Sequence, residues 1–301
     1  MLKKRELGKT GFNISELGFG CGGFWGMKVF SERDAEELVH TAIEKGINFF
    51  DTGSNYSQGN AEIRLGNILK NVNKDNLLIG TKAGTRMLSN GKFIKDFTEK
   101  GITESVHSSL EKLKLDYIPL LQLHSPTPDQ IDESLETLFK LKKAGLIKHA
   151  GVSSDGDSIR KVASLDFFDA AMLTYNVIHK EEPAKIIDDL YDKEIGILIK
   201  SPMAHSLYSN DIFKIRKLSD VWYFLRVLRN YRYDLAEGRK YRFINDIPDW
   251  KGSEVALKYV LSNEKVSCSV IGTTKTKHLV ENIGASNKTL PTNWLDQINS
   301  I

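Results

Sequence analysis

The sequence predicts an α/β fold, a closed (β/α)8 TIM barrel with an N-terminal β-hairpin and an insertion between the last two strands. Apolar runs of strand length alternate with segments of helical period almost from end to end, which is typical of βα units. Several runs are apolar on both pleat faces, as in parallel strands that are covered on both sides. No linker rich in Pro, Gly or Ser divides the 301 residues. We therefore expect one domain over residues 1–301, a length that a single barrel can fill.

The apolar runs predict eight strands. A doubly wound open sheet is the alternative, but the glycine cluster after the first run, Gly18–Gly23, does not fit the G-x-G-x-x-G pattern usual in such a sheet. Eight consecutive βα units favour the closed barrel. The predicted strands are Leu17–Gly20, Ile47–Asp51, Leu77–Lys82, Ile118–Leu123, Ile147–Ser153, Ala170–Tyr175, Ile195–Lys200 and Ser267–Ile271.

The helical segments carry start and end signals. Ser31 with Asp34 three residues later resembles a capping box, and Gly46 suits the left-handed position after the end of that helix. Thr103 is predicted to cap a second helix, and a further helix is predicted to begin at Asp129. These amphipathic helices are expected to cover the sheet.

The alternation breaks only at Ser201–Gly252, which we assign to the insertion. Its basic and aromatic part, Lys214–Tyr241, is predicted as helix plus loop. Aromatic residues at helical spacing are more often core than pocket, so Trp222 and Tyr223 are interpreted as packing residues.

Composition excludes several classes of protein. Lys plus Arg number 42 against 39 Asp plus Glu, a net charge of +3 that is too small to predict a nucleic-acid partner. The two cysteines, Cys21 and Cys268, lie far apart and suit a reducing compartment. No apolar run follows the charged start, so we expect no signal peptide. No stretch approaches the roughly 20 apolar residues of a membrane span. We expect a cytoplasmic protein without a membrane partner, and the sequence leaves its oligomeric state open.

Three reactive side chains lie at the ends of successive predicted strands: Asp51 ends the second, Lys82 ends the third and His124 directly follows the fourth. Tyr56 lies in the loop, five residues after Asp51. Singly, each has a structural explanation as a helix cap, a loop aromatic, a solvated lysine or a polar strand end. Together they predict acid–base chemistry, because active sites lie at this end of a barrel. A tyrosine hydroxyl has an ordinary pKa near 10, so its anion needs the nearby Lys82 ammonium, which Asp51 can hold in place. His124 can donate a hydrogen bond to a substrate oxygen.

These residues carry a resemblance to a known family. The matching runs extend from Leu7–Gly11 to Glu281–Asn282 and centre on Phe49–Tyr56, Gly80–Lys82, Leu120–His124 and Gly151–Ser153. They resemble the aldo-keto reductase superfamily. The resemblance implies a (β/α)8 barrel that binds NADPH, or less often NADH, without a Rossmann domain. It also implies a catalytic tetrad of Asp51, Tyr56, Lys82 and His124, with Tyr56 as general acid, or as base in the oxidative direction.

The resemblance implies cofactor contacts with departures from the family pattern. Ser153 is followed by Ser154 where the family has Asn, and Met172 stands where a Gln is expected. Lys200 stands where an aromatic commonly stacks on the nicotinamide; beside an oxidised, cationic ring it would repel, which favours the reduced cofactor. The alternative is that Lys200 is a strand-end lysine that points to solvent.

Two further segments complete the predicted cofactor site. The residues that resemble the pyrophosphate-covering loop are Ser201, Pro202, Met203 and Leu207. Those after the eighth strand are Gly272, Thr273, Thr274, Lys275 and His278, followed by Glu281 and Asn282, which in the family meet the adenosine end. Backbone N–H groups at a helix start and nearby lysines suit the 2′-phosphate of NADPH, although a solvated basic face is the alternative.

The predicted activity is NADPH-dependent reduction of an aldehyde or ketone, with Tyr56 as proton donor and Phe24, Trp25 and Asn55 as candidate substrate contacts. One alternative is a catalytically slow, cofactor-sensing or partner-binding barrel. Another is a redox-neutral isomerase or lyase on the same fold. The seven histidines show no metal-ligand spacing, so no metal is expected.

Overall fold

The computed structural model describes residues 2–88, 90–209 and 233–301. Eight parallel strands form a closed barrel in which neighbours follow chain order and the last strand pairs with the first. The predicted fold class is confirmed, and each strand begins and ends within two residues of its predicted bounds. The first to eighth barrel strands are Leu17–Gly20, Phe49–Asp51, Leu78–Ala83, Ile118–His124, Ile147–Ser153, Ala170–Thr174, Gly196–Lys200 and Cys268–Ile271.

An N-terminal hairpin closes the bottom of the barrel. Lys4–Glu6 pairs antiparallel with Asn13–Ser15. Leu7 and Ile14 are fully buried and belong to the apolar cluster that fills the barrel interior, together with Leu120. The predicted hairpin is therefore part of the core, because its apolar side chains fill the end of the barrel away from the strand termini that carry chemistry.

A second hairpin, which sequence reasoning missed, follows the third barrel strand. Thr85–Met87 pairs antiparallel with Phe93–Lys95, and Thr85 is the register partner of Lys95. The sequence could have indicated this hairpin, because Asn90 is followed by Gly91, a pair typical of tight hairpin turns. Gly91 has a φ of 79°. This hairpin adds a short two-stranded ribbon to the end of the barrel where the strands terminate.

Helices cover the outside of the barrel. The cap of the first is confirmed, because the Ser31 side chain accepts a hydrogen bond from the Asp34 N–H at 3.3 Å, and Gly46 has a φ of 94°. The helix bounds are Glu32–Glu44, Asn60–Ile68, Glu99–Leu113, Pro128–Lys143, Asp157–Ser164, Glu181–Asp192, Gly252–Ser262, Thr276–Ser286 and Thr292–Asn299, and residues 233–240 are also helical.

One predicted helix cap was wrong, and another helix begins one residue before its predicted start. The second predicted cap, Thr103, lies inside a helix that is capped by Thr98, whose side chain accepts from the Gly101 N–H at 3.1 Å. The helix predicted from Asp129 begins at Pro128. Its cap is Thr127 in a reciprocal capping box with Gln130. In both cases a threonine lies a few residues before the first apolar position, and its side chain satisfies a free backbone N–H of the first turn.

The described part of the insertion comprises residues 201–209 and 233–252, and the helix Gly252–Ser262 follows it. Most of the predicted segment Lys214–Tyr241, with Trp222 and Tyr223, lies outside the described residues. Tyr241 is buried, and the helix Gly252–Ser262 is buried along much of its length. None of the helices in the described part of the chain has the length and apolarity needed to cross a membrane.

Candidate active site

The alternation of side chains along each strand brings the predicted catalytic residues to one place. Leu78 and Leu120 belong to the apolar cluster in the barrel interior. Lys82 and His124 each lie four residues further along the same strands, so they face the same interior at the carboxyl end. Asp51 reaches the same level at the end of the second strand. Asp51, Lys82 and His124 therefore lie close together, because each occupies an interior-facing position near the end of its strand.

Lys82 and Asp51 form a buried ion pair. The Lys82 Nζ donates to Asp51 Oδ1 at 2.7 Å and to Oδ2 at 2.6 Å, and also to the Thr52 carbonyl at 2.8 Å. Lys82 is 1% exposed and Asp51 4%. Burial alone would lower the pKa of Lys82, but attraction to Asp51 and Tyr56 outweighs it and raises that pKa. Lys82 is therefore an ammonium group at neutral pH.

Tyr56 lies beside this ammonium, on a tightly held loop. The Lys82 Nζ lies 4.7 Å from the centroid of the Tyr56 ring. Ser57, at a left-handed φ of 51°, donates from Oγ to the Gly23 carbonyl at 2.6 Å. A Cβ added at Gly22 would lie 2.6 Å from the Tyr56 Cδ2. The glycine leaves room for the ring, and the position of Tyr56 depends on the loop after the first strand as well as on its own loop.

His124 faces Tyr56 across the site. The two ring centroids are 5.7 Å apart at an interplanar angle of 77°. Burial, followed by the positive charges of Lys82, Lys95 and Lys200, lowers the pKa of His124 to about 3. The imidazole is therefore neutral near pH 7, with one nitrogen that donates and one that accepts. Its Nδ1 is buried without a hydrogen-bond partner among the described residues.

Gln122 is a site residue that sequence reasoning missed. It lies two residues before His124, on the same face of the fourth strand, and is fully buried. Its Nε2 donates to Asp51 Oδ1 at 3.0 Å. The sequence could have indicated Gln122, because residues two apart on a strand face the same side. Asp51 is thus held by a neutral amide as well as by the Lys82 ammonium.

Residues predicted to hold the nicotinamide end lie on the next three strands. Ser153 and Ser154 are buried at the end of the fifth strand, and Met172 packs in the apolar interior of the barrel. Lys200 donates to the Ser154 carbonyl at 3.0 Å and pairs with the Asp155 carboxylate at 2.9 Å. Lys200 is therefore not a free lysine in solvent. The repulsion between Lys200 and an oxidised nicotinamide, which the sequence predicted, is also weakened, because the Asp155 carboxylate offsets the positive charge of Lys200.

The predicted pyrophosphate loop follows the seventh strand directly. Ser201 has a left-handed φ of 54°, and its carbonyl accepts from the Asn176 Nδ2 at 3.1 Å. Pro202 and Leu207 are buried, and Met203 is half-buried against the core near the first strand. Asn176, which was not predicted, thus links the sixth strand to this loop.

The segment after the eighth strand forms an open helix start. Gly272 has room, since a Cβ there would find no atom nearer than 3.8 Å. Lys275 is the N-cap of the helix Thr276–Ser286 and forms no ion pair with any described residue, and its N–H donates to the Thr273 Oγ1 at 3.1 Å. Thr274 is half-buried on this turn, the exposed His278 follows in the first helical turn, and Asn282 is buried further along. The Glu281 carboxylate is paired with Lys251 at 2.6 Å.

The three candidate substrate contacts lie in different environments. The Phe24 side chain is 53% exposed at the rim. Trp25 is 1% exposed and donates from Nε1 to the Ala35 carbonyl at 3.4 Å, so its ring supports the loop from inside the core and does not line the mouth. Asn55 is half-buried beside Tyr56, and its Oδ1 has no hydrogen-bond partner among the described residues.

The barrel and this cluster define an oxidoreductase class. A family model described as "Aldo/keto reductase family" matches residues 16–301. The chain belongs to the aldo/keto reductase family. No cluster of His, Cys, Asp or Glu suited to a metal ion occurs in residues 2–88, 90–209 and 233–301.

Curated relatives and solved structures agree with this assignment. The chain is 30% identical over 295 residues to "Uncharacterized oxidoreductase YqkF" of Bacillus subtilis (strain 168), which covers 95% of this chain and 92% of that protein. It is 28% identical over 295 residues to "Probable aldo-keto reductase 1" of Glycine max, with 93% and 83% covered. The solved "aldo-keto reductase AKR11C1 from Bacillus halodurans (holo form)" superposes with a TM-score of 0.82 at 28% identity, covering 100% of this chain and 96% of that one.

Proposed function

We propose that this protein reduces the carbonyl group of a small aldehyde or ketone with NADPH, and that Tyr56 is the proton donor. The observation that carries the proposal is the buried Lys82 ammonium, which is held at 2.6 and 2.7 Å by the Asp51 carboxylate and lies 4.7 Å from the centroid of the Tyr56 ring. Family membership supports the redox class. The family match over residues 16–301 also supports the proposal of a single domain, and the protein is proposed to be cytoplasmic.

The described residues fit a nicotinamide cofactor, which supplies a hydride when it is bound. Ser153 and Ser154 would hold its nicotinamide end. Gly272 leaves open space before the helix Thr276–Ser286, and Lys275 has no carboxylate partner among the described residues. A helix start with a free lysine suits a phosphate group, so we propose NADPH in preference to NADH.

The chain's own residues then direct the proton. Tyr56 releases its hydroxyl proton to the substrate oxygen, and Lys82 stabilises the phenolate that remains. Asp51 keeps the ammonium in place through two hydrogen bonds. The neutral His124 donates one N–H hydrogen bond to the same substrate oxygen, which positions the carbonyl beside Tyr56. A neutral imidazole suits this role because its pKa of about 3 leaves it uncharged throughout the neutral range.

A cofactor titration tests the first half of the proposal. Protein fluorescence is followed while NADPH and, in parallel, NADH are added. We expect tighter binding of NADPH, and we expect Lys275→Met to weaken NADPH roughly tenfold while NADH changes little, because only NADPH carries the 2′-phosphate. If neither nucleotide binds, the proposal is wrong and the redox-neutral alternative takes its place.

Turnover of a generic aldehyde tests the second half. Tyr56→Phe removes only the hydroxyl, so we expect reduction to fall by about 10²- to 10⁴-fold while NADPH binding changes little. Wild-type rates in this variant would overturn the role of Tyr56. Binding of NADPH by the wild-type protein without turnover of any aldehyde would instead support a slow, cofactor-sensing barrel.

A further inference from the structure

Lys95 ends the second hairpin at the rim of the site. Its Nζ donates to the His124 carbonyl at 2.6 Å and to the Thr85 Oγ1 at 3.0 Å. It also lies 5.9 Å from the centroid of the Phe97 ring. All three partners are neutral. The ammonium is therefore held in place at the end of the fourth strand by groups that leave its charge uncompensated.

The charges around His124 do not balance. Besides burial, the cations Lys82, Lys95 and Lys200 lower the pKa of His124. Lys82 is paired with Asp51, and Lys200 with Asp155. No carboxylate among the described residues pairs with Lys95.

The nearest acid along the hairpin is engaged elsewhere. Asp96, the next residue in the chain, pairs with Arg86 at 3.1 Å and accepts from Thr98 at 2.7 Å. Contact with the hairpin removes part of the hydration of Lys95, and this burial lowers its pKa. An anion beside Lys95 would offset that loss, because it stabilises the charged form.

Lys95 lies beside His124 at the end of the fourth strand. The proposed cofactor residues follow the fifth to eighth strands, whereas Lys95 is bonded to the end of the fourth strand and its hairpin follows the third. In the closed order of strands, the third and fourth lie across from the seventh and eighth. The fifth strand, with Ser153, is adjacent to the fourth. The uncompensated charge therefore lies beside His124 and across the barrel from the proposed phosphate-binding segments that follow the seventh and eighth strands.

We propose that the preferred substrates are carbonyl compounds that carry a carboxylate, and that Lys95 binds this carboxylate. The proposal rests on the carbonyl-reductase function proposed above. Lys95 is a specificity residue here and takes no part in proton transfer. A charge-assisted hydrogen bond from a positioned ammonium is strong enough to select an anionic substrate over its neutral analogue.

The test compares matched aldehydes at saturating NADPH. Benzaldehyde is the neutral substrate, and 3-carboxybenzaldehyde and 4-carboxybenzaldehyde are its anionic analogues. We expect the wild-type protein to show a higher kcat/KM for at least one carboxylated aldehyde. Lys95→Met should lower that kcat/KM roughly 10- to 100-fold, through KM, and leave benzaldehyde within about twofold. Lys95→Arg should restore much of the preference because it keeps the charge.

A control lysine lies on the same hairpin. Lys92→Met removes an equal charge from the turn, where Lys92 is exposed and has no carboxylate partner among the described residues, and it should leave all three rates unchanged. Equal loss for neutral and anionic aldehydes in Lys95→Met would overturn the proposal, since Lys95 would then act only by supporting His124. No preference in the wild-type protein would overturn it as well.

A binding measurement separates this proposal from the proposed function. Benzoate should raise the melting temperature of the NADPH-loaded wild-type protein more than that of the loaded Lys95→Met variant. If no aldehyde is reduced but this difference is found, the reductase function fails and the anion site stands. If aldehydes are reduced and benzoate affects both proteins equally, the reductase function stands and the anion site is wrong.

Discussion

Asp51 holds Lys82 with both of its carboxylate oxygens, at 2.7 and 2.6 Å from the same Nζ. The two residues come from neighbouring strands of the barrel, and each is less than 5% exposed. Two opposite charges in a buried interior attract strongly. Lys82 also donates to the Thr52 carbonyl, and Asp51 accepts from the Gln122 amide. This buried pair presents a fixed positive charge to Tyr56.

Lys82→Met should lower kcat for aldehyde reduction by about 10²- to 10⁴-fold, because the Tyr56 phenolate then forms without a counter-charge. NADPH affinity, measured by fluorescence titration, should change little. The unfolding free energy should fall by about 3–5 kcal/mol, because Asp51 is left buried without its cation.

A comparable lysine provides the control for this substitution. Lys112 lies 3.9 Å from the buried carboxylate of Glu62 but does not contact Tyr56. Lys112→Met should alter stability without altering kcat in the folded protein. A full rate at neutral pH in Lys82→Met would contradict the role assigned to Lys82.

Gln122→Glu replaces the amide next to Asp51 with a carboxyl group of the same shape. The donor to Asp51 Oδ1 at 3.0 Å becomes a second acid in a dry interior, where two neighbouring carboxylates cannot both be charged at low cost. We expect kcat at pH 7 to fall at least tenfold and to recover partly as the pH is lowered and one carboxyl group takes up a proton. Gln122→Met, which is neutral, should show no such pH dependence in a kcat profile. Parallel profiles for the two variants would contradict the assigned contact.

His124 should make the protein less stable in mild acid. Its pKa is about 3 in the folded protein and about 6.5 in an unfolded chain. As the pH falls from about 6.5 towards 3, only the unfolded state takes up this proton, so stability is lost by up to about 1.4 kcal/mol per pH unit. Urea unfolding from pH 7 to pH 4 checks this. His124→Gln should show a shallower loss, and identical pH slopes for both proteins would argue against the low pKa.

Gly22→Ala should displace the ring of Tyr56. Gly22 has an extended backbone with a φ of −151°, so alanine is conformationally acceptable and only the contact with Tyr56 Cδ2 at 2.6 Å opposes it. We expect kcat/KM for an aldehyde to fall roughly 10- to 100-fold, since small misplacements of reacting groups are costly, with about 1–3 kcal/mol of lost stability from overpacking.

The control is another glycine that adopts no left-handed conformation. Gly284→Ala adds a methyl group that finds no atom within 4 Å and should leave the rate of aldehyde reduction unchanged. If Gly22→Ala reduces aldehydes at the wild-type rate, the Tyr56 ring has room to move and the fit against Gly22 does not position it.

The sequence by itself determined the order and nature of the barrel elements. Strand-length apolar runs and helical stripes are local patterns, and a closed parallel barrel is the arrangement that buries all of them. The strand ends that carry Asp51, Lys82 and His124 were therefore predictable, since parallel strands bring their carboxyl ends to one rim. The helix caps Thr98 and Thr127 were missed because several polar residues competed for the cap.

Only the tertiary structure decided how these residues pair. The structure joins segments that lie far apart in the chain or on different loops. These contacts are the hydrogen bond from Gln122 to Asp51, the ion pair of Lys200 with Asp155 and the hydrogen bond from the uncompensated Lys95 to the His124 carbonyl. Trp25 became a core residue because the loop that carries it folds back onto a helix. Periodicity reports which face of an element a side chain occupies, whereas the closure of the barrel determines which charges then lie within hydrogen-bond distance of each other.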